Sequence, residues 1–177
     1  IEARFKGIRD ELGIEYDVEA AFRTLRARLT KDMSVDELVS RGEYFTSRLL
    51  ADYLGYAFVD ATDCVFFGFD GQVDREKSYA AIAKAVEEHG RVVIPGFYGL
   101  SPTGKIRVMS RGGSDITGAL AAAAAGADVY ENWTDVSGIL MADPKIVKDP
   151  KPISRITYGE LRELAFMGAS VLHEDSV

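Results

Sequence analysis

Cysteine and histidine are scarce in this sequence, which has one cysteine, Cys64, and two histidines among 177 residues. A single cysteine excludes an internal disulfide and is typical of a reducing compartment, so we expect a cytoplasmic protein. Because His89 and His173 are far apart in the sequence, no zinc site and no Cys–His nucleophile pair are predicted. The serine-nucleophile pattern GxSxG is also missing.

Excess positive charge and long apolar runs are absent as well. The 28 acidic residues outnumber the 21 basic ones, which gives a formal net charge of -7 and argues against nucleic acid or an anionic membrane as a partner. No apolar run reaches the roughly 18–20 residues of a membrane span, so no membrane partner is expected. The 47% of hydrophobic and 28% of charged residues are instead typical of a globular domain with a core.

Strand-like and helix-like segments alternate along most of the chain. The first 30 residues are charged and helical, with a turn at Gly13. Ser34 and Glu37 form a capping-box pattern at the start of one helix, and Gly55 marks its end. Segments rich in β-formers are YAFVDA, CVFFGF, RVVIPGF, KIRVMS, ADVYENWTDV and VLH, with helices between most of them. This alternation predicts an α/β fold, a parallel or mixed sheet covered by helices on both faces.

The segment GLSPTGKI, residues 99–106, is one residue short of the phosphate-binding P-loop pattern GxxxxGK[ST]. Ile106 stands where the magnesium-binding hydroxyl belongs, and the residues after it alternate like a strand instead of starting a helix. Pro102, Thr103 and Gly104 are typical turn residues. We therefore predict a β-hairpin between VVIPGF and KIRVMS, and regard a P-loop NTPase as the weaker interpretation.

The segment RGGSD, residues 111–115, follows a predicted strand and begins a predicted helix. Its glycines allow a ligand to approach the backbone, and the unpaired N–H groups and dipole of a helix start favour an anion. Arg111 offers a planar fork for a carboxylate or phosphate, and Ser114 or Asp115 can cap the helix. An anion site and a plain capped helix start explain the pattern equally well.

Two further positions combine chemistry with predicted structure. Glu43 shares a helical stripe with Val39 and Leu50 and should therefore lean toward the interior, where a carboxylate needs a cationic partner. A protein Arg or Lys is favoured over a substrate amine as that partner. Thr134 and Asp135 follow a predicted strand, at the edge where open α/β sheets bind ligands, although a plain turn explains them at least as well.

The order of four segments is more specific than any one of them. SRGEYFTSRLLADYL, VVIPGFYG, SRGGSDITGALAAAAAGADVYENWTDVSGILMADPKIV and ITYGELRELAFMGASVLH together resemble the aspartate kinases, which belong to the amino acid kinase family. The match runs from about Ser40 to His173. The resemblance implies a three-layer αβα sandwich with a mainly parallel central sheet, incomplete at the N-terminus. Within it, an aspartate-binding lobe would span about 1–118 and a nucleotide-binding lobe about 119–177.

The resemblance also implies an activity and its partners. The activity is ATP-dependent phosphorylation of the side-chain carboxylate of L-aspartate to 4-phospho-L-aspartate, the first step of lysine, threonine and methionine biosynthesis. ATP, Mg²⁺ and L-aspartate would be bound, and the protein would form a homodimer. Another amino acid kinase with a different carboxylate or carbamate substrate, and a non-catalytic nucleotide- or amino-acid-binding module, are the alternatives.

Individual residues acquire roles from the same resemblance. Glu43 would receive the α-ammonium group of aspartate, Arg111 its α-carboxylate, and Asp115 would help to order the catalytic lysine. The meeting point of aspartate and the phosphates would be lined by Gly112, Gly113 and Ser114. The nucleotide would be held by Thr134, Asp135 and Gly138, with Lys145 near its phosphates.

Three departures from the family pattern modify these expectations. The Lys-Phe-Gly-Gly segment that carries the catalytic lysine is not in this sequence, and neither are the C-terminal regulatory domains, so we expect an inactive fragment of a larger protein. Ser170 stands where many relatives have a lysine, and Glu174 stands where a proline is usual. Leu140 occupies a position that tyrosine often holds. The last two differences point to altered ATP contacts.

Overall fold

The computed structural model describes residues 1–29, 33–109, 112–133, 138–142 and 146–166. Seven helices and four short strands lie in this part of the chain. In chain order they are α1 (Glu2–Leu12), α2 (Val18–Arg28), α3 (Val35–Leu54), β1 (Ala57–Phe58), α4 (Ala61–Cys64), α5 (Arg75–His89), β2 (Val92–Val93), β3 (Tyr98–Leu100), β4 (Ile106–Val108), α6 (Gly113–Ala124) and α7 (Tyr158–Phe166). None of the helices in these ranges is long and apolar enough to cross a membrane.

The N-terminal helix pair, α1 and α2, packs on α3 through aromatic side chains. The rings of Phe22 and Phe45 stack with their centroids 4.7 Å apart, and the ring of Phe5 lies 5.8 Å from each. Gly13 ends α1 in the left-handed conformation, and the Asp17 carboxylate caps α2 by accepting from the backbone N–H of Ala20. The predicted helices and the turn at Gly13 are thus confirmed.

The long helix α3 begins and ends where the sequence predicts. The Ser34 hydroxyl accepts a hydrogen bond from the backbone N–H of Glu37, and Gly55 ends the helix in the left-handed conformation. The prediction that the stripe with Val39 and Leu50 faces inward is wrong, because these side chains are 53% and 46% exposed. Phe45 and Leu49, on the neighbouring side of the helix, are buried instead, because their side chains pack on the N-terminal helix pair.

The strands confirm the α/β class but are shorter than the sequence suggests. β1 and β2 pair in parallel, with Ala57 opposite Val92. In CVFFGF the first residue ends α4, and Phe66 forms only a single parallel bridge with Leu100. The strand predicted at ADVYENWTDV is wrong over residues 127–133, which form no strand. The ring of Tyr130 in this segment lies against α6 instead of taking part in a ladder.

The segment GLSPTGKI forms the tip of a hairpin. β3 and β4 pair antiparallel on either side of it, with Leu100 opposite Ile106. The turn is closed by the backbone N–H of Ser101, which donates to the carbonyl of Lys105 at 2.9 Å, and Gly104 adopts a φ of 75°. The predicted hairpin is therefore confirmed, and no helix follows the lysine as a P-loop would require.

A second core, which we call the central core, lies between α4, α5, β3 and α6. It consists of Ala61, Cys64, Val65, Ile82, Tyr98 and Leu120. Tyr98 is completely buried, and its hydroxyl donates to Asp60 Oδ1 at 3.0 Å, which satisfies the only polar atom of this side chain. The central core thereby packs the first residue of β3 against α6.

Candidate functional site

A pocket of about 290 Å³ lies between α3, the segment that follows β2 and the first turns of α6. It is lined by Glu43, Val92, Ile94, Gly96, Ser114, Thr117, Gly118 and Ala121. Two residues that the sequence singled out, Glu43 and Ser114, are thus brought together although they are far apart in the chain. The four lining residues from α6 follow the i, i+3, i+4, i+7 spacing of a single helix face.

Glu43 is a half-buried carboxylate in an environment that disfavours its charge. Burial raises the pKa of its carboxyl, and the backbone N–H of Gly96 opposes that shift by donating to the carboxylate. Within the described ranges, the Glu43 carboxylate has no Lys, Arg or His partner within 4.0 Å. The protein cation that the sequence favoured as its partner is therefore not found among those residues. Arg111, which is predicted to bind the α-carboxylate of the substrate, lies outside the described ranges.

The start of α6 combines a left-handed glycine with a tightly packed one. Gly112 precedes the helix with a φ of 83°, and a Cβ on Gly113 would lie 2.6 Å from the Cβ of Met109 and 2.9 Å from that of Phe97. The helix therefore begins at Gly113 without a side-chain cap. The backbone N–H groups and dipole of this helix start favour a negative group.

Ser114 and Asp115 do not cap α6, contrary to the alternative that the sequence left open. Both lie inside the first turn, because the helix starts earlier than its apolar pattern suggests. Asp115 Oδ1 accepts from the side-chain amide of Asn132 at 3.3 Å. The pKa of Tyr130 is raised mainly by burial and also by Asp115, so this carboxylate lies beside the segment after α6 and is not among the residues lining the pocket.

The predicted nucleotide residues fall mainly outside the described ranges. Gly138 is described, with a φ of 92°, and Leu140 forms an antiparallel bridge with Pro152. The residues that lie outside are Arg111, Thr134, Asp135, Lys145, Ser170 and Glu174. Among the residues that are described, no group of three His, Cys, Asp or Glu side chains is placed to hold a metal ion.

Six of the eight lining residues were not singled out from the sequence, and two of them, Gly96 and Thr117, make polar contacts at the site. Gly96 lies in the matched segment VVIPGFYG, but the sequence alone gives it no role. Thr117 is 3% exposed, and its hydroxyl accepts from the backbone N–H of Phe97 at 3.1 Å. The sequence feature that could have identified Thr117 is its position four residues after Gly113, because residues four apart lie on the same face of a helix.

Comparison with known proteins decides the family. The model of the amino acid kinase family matches residues 3–177. The chain belongs to the amino acid kinase family. This membership agrees with the α/β class of the fold.

Solved structures of relatives match the chain over almost its whole length. An aspartate kinase from Clostridium acetobutylicum is 47% identical with a TM-score of 0.90, and the match covers 99% of this chain and 40% of that one. Escherichia coli aspartokinase III in complex with aspartate and ADP is 27% identical with a TM-score of 0.81, over 98% of this chain and 45% of that one.

Curated relatives give the same picture at lower coverage. Aspartokinase 3 of Bacillus subtilis is 35% identical over 151 residues, which are 81% of this chain and 33% of the relative. The aspartokinase of Geobacillus stearothermophilus is 35% identical over 156 residues, 81% of this chain and 37% of the relative. The chain thus spans about a third of the length of these proteins.

Proposed function

We propose that this chain is part of the catalytic domain of an aspartate kinase, which transfers a phosphoryl group from ATP to the side-chain carboxylate of L-aspartate. The observation that carries the proposal is the half-buried Glu43 carboxylate, which lies in one pocket with the first turn of α6. The likeness to an aspartokinase crystallised with aspartate and ADP, over 98% of the chain, supports it.

The pocket would recognise the amino acid through its charges. Glu43 would receive the α-ammonium group, because a partly desolvated carboxylate gains more from a cation than one in water does. Arg111 would bind the α-carboxylate through its planar fork. Held at both charged groups of its α-carbon, the substrate would have its side chain in a single orientation, as proximity catalysis requires.

The transfer step would need alignment more than acid–base chemistry, because the accepting carboxylate is already ionised. ATP supplies the phosphoryl group, and Mg²⁺, which typically keeps several waters and binds through substrate phosphates, would accompany it. The start of α6, with Gly112, Gly113 and Ser114, would stabilise negative charge between the two substrates. Asp115 would help to order the catalytic lysine.

The remaining parts of the proposal concern the nucleotide, the lobes and the assembly. Thr134, Asp135 and Gly138 would hold the nucleotide, with Lys145 near its phosphates. The two lobes would divide near residue 118, inside α6. We place the enzyme in the cytoplasm as a homodimer, and sedimentation of the full-length protein tests the dimer, since a monomer at micromolar concentration would contradict it.

Glu43 also helps to distinguish an aspartate kinase from the two alternative functions. An N-acylated substrate has no α-ammonium group. A member of the family that acts on such a substrate would therefore gain no binding energy from a carboxylate in this pocket. A non-catalytic binding module would keep the pocket without transferring phosphate.

The deciding experiment traps the acyl-phosphate product with hydroxylamine, using the full-length protein, ATP and Mg²⁺. L-aspartate is compared with N-acetyl-L-aspartate, which lacks the ammonium group. We expect product with aspartate alone. Product with another acid but not with aspartate would overturn the assignment of aspartate as the substrate. ATP binding without any product would favour a non-catalytic binding module.

A substitution tests the role of Glu43 within the same assay. Glu43→Ala should raise the KM for aspartate roughly tenfold or more, as expected for a lost charge-assisted contact, and change the KM for ATP much less. Glu87→Ala, on the exposed face of α5, is the matched control and should change neither. Equal effects of Glu43→Ala on both KM values would contradict the role of Glu43.

A further inference from the structure

The hydroxyl of Thr117 links α6 to the segment between β2 and β3. Thr117 is buried, its Oγ1 accepts from the backbone N–H of Phe97 at 3.1 Å, and it donates to the carbonyl of Gly113 at 2.9 Å. Because the hydroxyl proton is engaged by Gly113, an oxygen lone pair is left to accept from Phe97. The orientation of this buried group is therefore defined mainly by two backbone partners, because its remaining contact, with Met109 Sδ, is 3.9 Å long.

Phe97 adopts a backbone conformation that has to be held by its surroundings. Its φ is 62°, in the left-handed region that bulky residues rarely enter. On one side its N–H is bound by Thr117, and on the other its carbonyl accepts from the backbone N–H of Met109 at 2.7 Å. Both peptide groups that flank Phe97 are thus anchored, one to α6 and one to the end of the β3–β4 hairpin.

The conformation of Phe97 determines where the preceding residue lies. Gly96 is buried and donates its backbone N–H to the carboxylate of Glu43. A Cβ on Gly96 would come within 2.9 Å of Ser114 Oγ, so the first turn of α6 lies directly on this backbone. A rotation at Phe97 would therefore move the N–H that orients Glu43 and also change the gap between Gly96 and α6.

We propose that Thr117 is a positioning residue, which fixes the Glu43 carboxylate for the substrate's ammonium group by holding Phe97 and Gly96 in place. The inference rests on the proposed function for its substrate, and on the hydrogen bonds of Thr117 for its geometry. Thr117 lines the same pocket but acts through the backbone of Phe97, since the two short hydrogen bonds of its hydroxyl go to backbone groups and its third contact, with Met109 Sδ, is longer at 3.9 Å.

The test compares Thr117→Val, which keeps the shape and removes the hydroxyl, with Thr117→Ser, which keeps the hydroxyl, in the full-length protein. Thr117→Val should raise the KM for aspartate roughly three- to tenfold, as expected for one lost hydrogen bond, and leave the KM for ATP and kcat within about twofold. Thr117→Ser should stay within about twofold of the wild type in all three. If the valine variant does not fold, Thr117→Ala serves as the second hydroxyl-free variant.

Amide hydrogen exchange of a peptide covering residues 92–100, without substrates, provides the readout that is independent of the activity. Exchange should be faster in Thr117→Val than in the wild type and unchanged in Thr117→Ser. Unchanged exchange in the valine variant, equal rises in both KM values, or serine behaving like valine would each overturn the positioning role. If the wild type makes no acyl phosphate from aspartate, the proposed function fails, and exchange alone then decides whether Thr117 holds the segment.

Discussion

The N-terminal helix pair and the pocket both lie against α3, but they are packed by different means. In the N-terminal helix pair, aromatic rings pack on one another and charged pairs such as Arg9 with Glu19 join the two helices. Beside the pocket, α6 closely approaches the segment before β3, with Gly96 against Ser114 and Gly113 against Phe97. Side chains carry the packing in one region, and the absence of side chains permits it in the other.

This difference predicts how each region responds to substitution. A core built from large side chains loses stability in proportion to the contacts removed, because its neighbours relax only in part. A site built on close backbone contacts tolerates little addition, and displacement of a catalytic group affects the activity before it affects the fold. The following experiments break or sharpen this contrast.

The largest expected effect is on stability, from Phe22→Ala in the N-terminal helix pair. Phe22 is 7% exposed and stacks on Phe45, so truncation should lower the free energy of unfolding by about 3–5 kcal/mol. The KM for aspartate, measured well below the melting temperature, should stay unchanged. Urea titration measures the loss, and Phe69→Ala, at a side chain 91% exposed, is the matched control. A raised KM would show that the two regions are coupled through α3.

Gly113→Ala tests whether an added methyl group at the pocket lowers the activity. The added methyl group would lie 2.6 Å from the Met109 Cβ and 2.9 Å from the Phe97 Cβ, so the start of α6 must shift. We expect kcat/KM in the hydroxylamine assay to fall roughly a hundredfold, as for a small misplacement of a reacting group, which corresponds to about 2.7 kcal/mol. An active variant with normal KM values would show that this close contact is not required for catalysis.

Glu43→Gln should raise the stability of the protein and weaken aspartate binding, although it changes only one side-chain atom. The folded-state pKa of Glu43 is raised by burial, so the folded protein binds this proton more tightly than the unfolded chain does. The ionised carboxylate therefore lowers stability above the folded pKa, and this penalty vanishes below the unfolded value, near 4.5. The glutamine variant should be more stable than the wild type at neutral pH, by a margin that shrinks as the pH falls.

The measurement for Glu43→Gln is urea titration at several pH values, beside the KM for aspartate at neutral pH. The KM should rise while the stability improves, since an uncharged amide binds ammonium less well. Lower stability of the variant at neutral pH would mean that the free protein already pairs this carboxylate with a cation.

The sequence predicts the helix-rich side of the molecule better than the pocket side, and the reason is the range of the interactions. The caps at Ser34 and Asp17 and the helix ends at Gly13 and Gly55 involve neighbours within a few residues. The left-handed Phe97 has no such local signal, because it is held by Thr117, which lies on another element.

The site itself was predicted in part, and mainly through the resemblance. Helical periodicity placed Glu43 on a stripe that is exposed, and its half-buried position comes from the pocket formed with α6 and Gly96. The role of Arg111 stays a prediction. The predicted strand before Trp133 failed because the contact of Tyr130 with Gly118 cannot be inferred from local alternation.

The smallest expected effect comes from Gly7→Ala in α1, which is also the matched control for Gly113→Ala. Gly7 lies inside the helix, and a Cβ there would meet nothing within 4 Å. Alanine restricts the unfolded chain and suits a helix, so the free energy of unfolding should rise by about 0.5–1 kcal/mol. Urea titration measures the gain, and the acyl-phosphate assay should give wild-type constants. A loss of stability would mean that α1 packs against a surface at Gly7, and the contrast between a side-chain-built and a backbone-built region would then no longer hold for α1.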